Sequence, residues 1–364
     1  MGAADVTQAP TLLLIAVSAR ALAQAARRAG FAPIAIDAFG DEDTRRACRA
    51  TYVVEGAVAG FAQAELAGVV ARALRDHAPA GLVYGSGFDD CPERLATLSR
   101  HAPVLGCPPE ALARAKDPRG FAAACAAAGI AHPEIGFAAP PEGALLKRRG
   151  GSGGTHIQPA ERAPGPDEYW QRRIEGRAVS LLFCLDAGAL TPIAWSEQWT
   201  APCAQAPFRY GGAAGPLDLT PPDDLLPRLK ALARDLGLSG LASADFLDDG
   251  ERFWLLELNP RPGATLDLFD DAEDPLLARH LGGVDAPVRP RSPRAAEIVY
   301  AERDAIAPAD WPDWAADLPA AGTPIVAGAP ICTVSAAAGD VASAKARARA
   351  RARRLRVEIE ENSR

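Results

Sequence analysis

Asp245 and the run Glu257-Leu258-Asn259-Pro260-Arg261 hold the side chains in this sequence best suited to chemistry. Asp248-Asp249-Gly250 stands between two apolar runs, so Ala244 to Gly263 reads as two strands joined by a tight turn. Side chains alternate faces along a strand. Glu257 and Asn259 therefore share one face, and Leu256 and Leu258 take the other. A hairpin centred near Asp249-Gly250 brings Asp245 close to opposite Glu257. Three oxygen-bearing side chains then converge, a hard-oxygen set suited to Mg²⁺, which keeps waters and is completed by substrate phosphates. Each residue alone has a blander reading: turn chemistry, an exposed strand charge, the start of a loop. As a set interleaved with leucines they are costly to bury without a partner.

A second segment carries chemistry. Ala144-Leu145-Leu146-Lys147 reads as an apolar strand ending in a cation, followed by Gly150-Gly151-Ser152-Gly153-Gly154. Backbone N–H groups in such a turn can close over phosphate oxygens, because no side chain blocks the approach. A flexible linker is the alternative. The loop is neither a Walker A motif nor part of a protein kinase signature. Lys147 and Arg261 supply positive charge for a triphosphate. His156, in the glycine loop, reads as a solvated histidine with a phosphate contact as the alternative, and no nucleophilic Cys, Ser or His is required.

The elements that must position these groups follow from periodicity. Leu12 to Val17, Pro33 to Ile36, Tyr52 to Glu55 and Leu82 to Tyr84 read as strands alternating with helices, the rhythm of a parallel, doubly wound α/β layer. The first strand-to-helix turn, Val17 to Leu22, lacks the glycines of a dinucleotide site, and Tyr84-Gly85-Ser86-Gly87-Phe88-Asp89 has only two. Two helical pieces from Pro108 to Ala128 meet at Lys116-Asp117-Pro118. Strands are expected over Arg177–Leu185 and Leu190–Trp199, a Gly- and Pro-rich loop over Pro202–Pro221, and a helix from Leu225. Short strands among Pro and Gly from residue 286 onward suggest a small β-rich domain. The basic residues on alternate positions from Lys345 suggest a solvated terminal helix.

Composition narrows the function classes. The chain has 364 residues, is 48% hydrophobic, and carries 39 Lys and Arg against 46 Asp and Glu, a net charge of −7. That balance gives no support to nucleic-acid binding. No uncharged apolar run approaches the roughly 18 residues of a membrane span. The 7 cysteines are widely spaced with no C-x-x-C pair, as expected of thiols in a reducing cytoplasm.

Over about residues 10 to 285 this pattern resembles the ATP-grasp superfamily of carboxylate–amine and carboxylate–thiol ligases. The resemblance rests on Lys116, Lys147, the loop Gly150 to Gly154, Asp245, and Glu257-x-Asn259-x-Arg261, in family order and spacing. It implies an α/β ATP-grasp fold with a Rossmann-like pre-ATP-grasp domain at 1–106 and an ATP-grasp domain at 107–285. Within the latter, 139–187 is the mobile lid. A small β-rich domain at 286–345 and a helical tail at 346–364 complete the organisation. It implies ATP with two Mg²⁺ ions, Mn²⁺ being an alternative. Lys116, Lys147, Gly150, Gly151, Ser152, Gly153 and Gly154 would contact phosphates; Asp245, Glu257 and Asn259 would hold metal; Lys147 and Arg261 would serve catalysis. Gln171, Arg172 and Ile174 match the adenine hinge, and Leu247, on the face of Asp245, is a candidate floor for the base. The ribose contact departs from the pattern, since Arg177 follows Gly176.

Tyr84 to Phe88, Phe208 to Gly212 and the Trp-Pro-rich C-terminal segment resemble the branch near tyramine–glutamate ligase and the methanopterin- and methylofuran-linked proteins of methylotrophs. The implied activity is ADP-forming amide synthesis through an acyl phosphate, with small-molecule carboxylate and amine substrates, a cytoplasmic location, no nucleic acid or membrane partner, and a homodimer left open. The alternatives are a small-molecule kinase on the same fold and a nucleotide-binding subunit without catalysis.

Overall fold

Leu12 to Ile15 are almost wholly buried, and this unbroken apolar run becomes the inner strand of a parallel sheet. The structure, a computed structural model, describes residues 9–56, 60–284 and 286–362, so the ends of the expected first domain and C-terminal tail lie outside the described residues. The N-terminal elements alternate as the sequence requires: β1 (Thr11–Ile15), α1 (Arg20–Arg28), β2 (Ala32–Asp37), α2 (Glu42–Ala47), β3 (Ala50–Val53), α3 (Gln63–His77), β4 (Leu82–Tyr84) and α4 (Pro92–Leu98). The strands pair in parallel in the order β3-β2-β1-β4.

Two helices lead out of this layer, α5 (Pro109–Lys116) and α6 (Pro118–Ala128). Pro118 cannot continue α5, so Asp117 turns extended and its side chain accepts the Gly120 N–H at 3.0 Å, capping α6. Lys116 is left at the end of α5, pointing inward. A four-stranded antiparallel sheet follows, from β5 (Ile135–Gly136), β6 (Leu145–Arg148), β7 (Ile157–Pro159) and β8 (Glu168–Gln171), in the order β5-β8-β6-β7.

The remaining chain builds one large sheet. Its elements are β9 (Arg177–Asp186), β10 (Ala189–Thr200), β11 (Tyr210–Gly215), α7 (Leu225–Asp235), β12 (Gly240–Asp248), β13 (Phe253–Asn259), α8 (Leu266–Phe269) and α9 (Leu276–His280). After them come β14 (Arg294–Tyr300), β15 (Ala305–Ile306), β16 (Ala315–Ala316), β17 (Pro324–Ile325), β18 (Pro330–Ala337) and α10 (Val341–Asn362). Eight strands pair antiparallel in the order β13-β12-β9-β10-β11-β14-β18-β16, so strands from beyond residue 286 extend the same sheet.

Two expectations need correction. Strand β11 lies inside the segment read as a loop. Its Tyr-Gly-Gly-Ala-Ala-Gly sequence lacks a strand's bulk because the space is taken: a Cβ on Gly212 would stand 2.4 Å from the Ala296 carbonyl oxygen. Helix α10 is not solvated all round. Ala344, Ala348, Ala352, Leu355 and Ile359 form a buried stripe that packs on β14 and β18. Its cations are engaged locally, Lys345 with Glu197 at 3.0 Å and Arg356 with Glu302 at 2.8 Å. Among the described residues no helix is long and apolar enough to cross a membrane.

Candidate functional site

The β12–β13 hairpin places Asp245 directly opposite Glu257 and Ser243 opposite Asn259. Asp248 and Asp249 tie the turn by accepting the Gly250 and Glu251 N–H groups at 3.0 and 2.9 Å, and Gly250 takes φ +90°. Strict alternation misplaces one residue. Asp245 pairs with Glu257 but Phe246 pairs with Leu255, so Leu256 is an unpaired bulge residue. Counting back from Asp248 opposite Phe253 without that bulge, Leu256 would face Asp245 and Glu257 would turn toward the core. The bulge brings Glu257 onto the face of Asp245. Leu256 accordingly lines the cleft beside Glu257, instead of lying on the opposite face as expected, while Leu255 and Leu258 are buried.

A dense polar cluster results. Asp245 accepts hydrogen bonds from Ser180 Oγ at 2.6 Å, Gln198 Nε2 at 3.3 Å and Asn259 Nδ2 at 3.0 Å. Asn259 Nδ2 also reaches Glu257 Oε1 at 3.4 Å. Lys116 Nζ donates to Asn259 Oδ1 at 2.8 Å and lies 3.5 Å from Glu257. Burial, and then the neighbouring Glu257, push the Asp245 carboxyl up to about 6. Burial acts on Glu257 in the same sense, but Lys116 and Lys147 outweigh it and hold that carboxyl below its usual range. Asp245 and Glu257 on one ladder position, with the Asn259 amide between them, bring together oxygen groups of the kind a hard divalent cation accepts. Among the described residues no group of three or more His, Cys, Asp or Glu is arranged to hold a metal ion.

The small antiparallel sheet faces this cluster. Lys147, paired with Tyr169 across β6–β8, is 7% exposed, and burial lowers its ammonium below the usual range. Lys116, Lys147, Gly150, Gly151, Tyr169, Leu256 and Glu257 line one cleft together. The glycine loop borders it, seated between two supports. A Cβ on Gly150 would stand 1.9 Å from the Asp89 carbonyl oxygen, and one on Gly154 would stand 2.0 Å from that of Phe208. The Gly153 carbonyl accepts the Tyr210 N–H at 2.8 Å. Ser152 is exposed at the outer edge of the loop.

His156 departs from the solvated loop histidine expected. Its ring packs on Gly151, its Nδ1 is buried without a hydrogen-bond partner, and it lines the cleft. Burial, together with nearby Lys147 and Lys116, pushes it down to about 4, so the imidazole is neutral at pH 7. Gln171 stands two residues from Tyr169 on β8 and therefore on the same face, buried, with Nε2 lacking a partner. Leu247 sits half-buried on the face of Asp245, and Ile174 is half-buried. The Arg172 side chain is exposed, and its backbone N–H donates to the Glu134 carbonyl at 2.8 Å. Gln171, Arg172, Ile174 and Leu247 are not among the residues lining the cleft beside Lys147 and Glu257.

Arg261 reaches the cluster by a different backbone path from the one expected. Its N–H donates to the Asn259 carbonyl at 2.9 Å, so the chain bends at Pro260 instead of continuing extended. Its guanidinium still returns to the site, with Nη2 at 3.5 Å from Asn259 Oδ1 and Nε donating to Asp89 at 3.0 and 3.2 Å. Asp89 is the partner that sequence reasoning passed over. Burial works to raise its carboxyl, but Arg261 and Lys116 hold it below its usual value. The signal was its place just after β4, at the carboxyl end of a parallel sheet, where such sheets offer a ligand crevice.

Residues 122–265 match the family model described as an ATP-grasp domain. Among solved structures, biotin carboxylase from Campylobacter jejuni in complex with an ATP analogue superposes with a TM-score of 0.68 at 14% identity, covering 93% of this chain and 90% of that one. N5-carboxyaminoimidazole synthetase from Staphylococcus aureus complexed with ADP gives 0.68 at 11% identity over 94% and 97%. L-amino acid ligase from Bacillus licheniformis gives 0.68 at 11% identity over 93% and 96%. No curated protein matches the chain. At these identities the likeness is one of fold: the chain has the α/β ATP-grasp fold expected of it.

Proposed function

We propose that this chain is an ATP-dependent, ADP-forming ligase that joins a carboxylate to an amine. The observation that carries the reading is the placement of Asp245, Glu257 and Asn259 on one sheet face with Lys116 and Lys147 above them, beside the glycine loop. A solved neighbour in complex with an ATP analogue and another named an amino acid ligase support the same class. Asp245, Glu257 and Asn259 would hold Mg²⁺, which when bound neutralises phosphate charge. Gln171 offers a buried, unpartnered amide on the nucleotide side. Residues 139–187 act as the lid.

Phosphoryl transfer depends on positioning and charge neutralisation more than on covalent help from the protein. A substrate carboxylate oxygen bonds to the γ-phosphorus as the bond to ADP breaks. An amine then bonds to the acyl carbon as the bond to phosphate breaks, and the amine proton leaves on the departing phosphate. Lys147 and Lys116 orient the phosphate oxygens, and Arg261 presents a planar fork to the anionic centre. The closed loop excludes water, which would otherwise hydrolyse the acyl phosphate.

We read the enzyme more finely as a cytoplasmic glutamate–amine ligase of methylofuran or methanopterin type, on the strength of the motifs at Tyr84–Phe88 and Phe208–Gly212. The test is ADP release over a panel of amino acids and amines with ¹⁸O in the substrate carboxylate. Release that requires both partners, with label appearing in phosphate, is the expected result. Sustained release with one partner and a stable phosphorylated product would make the protein a kinase instead.

A further inference from the structure

Asp89 belongs to the N-terminal layer, yet it touches two cations of the cleft. It follows β4 at the carboxyl end of the parallel sheet, and its side chain is 2% exposed. Its carboxylate accepts Arg261 Nε at 3.0 and 3.2 Å and lies 3.3 Å from Lys116 Nζ. Glu257, the other carboxylate near Lys116, is farther away at 3.5 Å. The remaining side-chain contact of Arg261 is to Asn259 Oδ1, also at 3.5 Å. The same residue carries a second contact through its backbone, because the glycine loop rests on its carbonyl oxygen at a distance only a glycine at position 150 permits.

An arginine side chain loses considerable rotamer freedom when held in one place. A donor aimed at developing charge is most effective when its orientation is set before the reaction. We propose that Asp89 is a positioning residue of this site: it fixes Arg261, and with it Lys116, against Asn259, and seats the glycine loop in its closed position. The N-terminal layer is then part of the reaction machinery. This rests on the ligase reading of the cleft.

Asp89→Asn keeps the size and an acceptor oxygen but removes the charge. ADP release should fall about thirtyfold, the scale of a misplaced reacting group. Metal-free AMP-PNP should bind about threefold more tightly, because a negative charge near the phosphates is gone. A residue that only stabilises the fold would lower both together. The Arg261→Lys background completes the cycle: there Asp89→Asn should cost little more, since the group it positions is already altered. Equal fold-losses in both backgrounds overturn the proposal. Should Asp89→Asn fail to fold, Asp89→Glu enters the same cycle, its extra methylene displacing both contacts; wild-type turnover or equal losses overturn the proposal there too. A wild-type chain that binds AMP-PNP but turns over no carboxylate–amine pair refutes the ligase reading. The affinity measurement then still decides the role of Asp89, since unchanged or weaker metal-free binding in Asp89→Asn overturns it.

Discussion

Asp245 shows how far a single carboxylate can be held from its ordinary state. Its carboxyl is raised to about 6, chiefly by burial and then by Glu257. A raised carboxyl contributes most to stability while protonated, and that contribution is lost as pH rises through about 6. Without metal, Asp245→Asn should therefore gain stability relative to wild type between about pH 4 and 7, by about 2–3 kcal/mol. Urea unfolding at both pH values measures the gap, and saturating Mg²⁺ should close it. A gap independent of pH would mean that Asp245 ionises without cost. Arg261→Lys should keep nucleotide affinity, which has Lys116, Lys147 and the loop to support it. It should lose about 2–4 kcal/mol of transition-state stabilisation, the scale of one preorganised donor. Steady-state ADP release and AMP-PNP affinity on the same variant check this, and wild-type values for both would remove Arg261 from the reaction. The clustering of these positions was legible in the sequence because carboxylates and an amide interleaved with leucines are costly to bury apart. Asp89 was marked only by its place after β4, because its two partners are distant in the chain and a lone loop carboxylate has no periodicity.

At the scale of elements, hairpin spacing brought Asp245 close to Glu257, but the pairing itself depends on the bulge at Leu256. The bulge at Leu256 was beyond reach, since nothing in Leu255-Leu256 marks which leucine loses its partner. Strand β11 escaped for the opposite reason: close backbone approach selects Gly and Ala, which read as loop. The glycine loop illustrates the same constraint in a testable form. Gly154 has φ +70°, and an added Cβ would meet the Phe208 carbonyl oxygen at 2.0 Å. Gly154→Ala should therefore prevent the loop from docking against the start of β11. In wild type, Mg-AMP-PNP should protect the loop from limited proteolysis, because phosphate contacts add to its closed form. Gly154→Ala should lose that protection while retaining its global fold. Equal cleavage of wild type with and without nucleotide would contradict the lid role.

At the scale of the whole molecule, Arg20, from the first strand-to-helix turn, joins distant parts of the chain. Its guanidinium is 3% exposed and pairs with Asp267 after the β13 loop and, at 2.8 Å, with Asp317 from the C-terminal segment. Asp43 accepts the Asp317 and Leu318 N–H groups at 2.9 and 3.0 Å, closing the junction. Such long-range pairs leave no mark in local patterning, whereas the alternating strands and helices of the parallel layer do. Arg20→Ala strands two carboxylates with no cation between them and should cost about 3–5 kcal/mol, as when one partner of a buried ion pair is removed. Denaturant unfolding measures it, and a loss below about 1 kcal/mol, the scale of a surface pair, would show the junction to be solvated. Whether the cleft is a metal–nucleotide site is tested most directly by titration calorimetry of AMP-PNP into wild type and Glu257→Gln, each with and without Mg²⁺. Wild type should bind at least about tenfold more tightly with Mg²⁺, and Glu257→Gln should lose most of that difference while staying folded. Binding that ignores Mg²⁺ in wild type, or a Mg²⁺ effect untouched by Glu257→Gln, would contradict it.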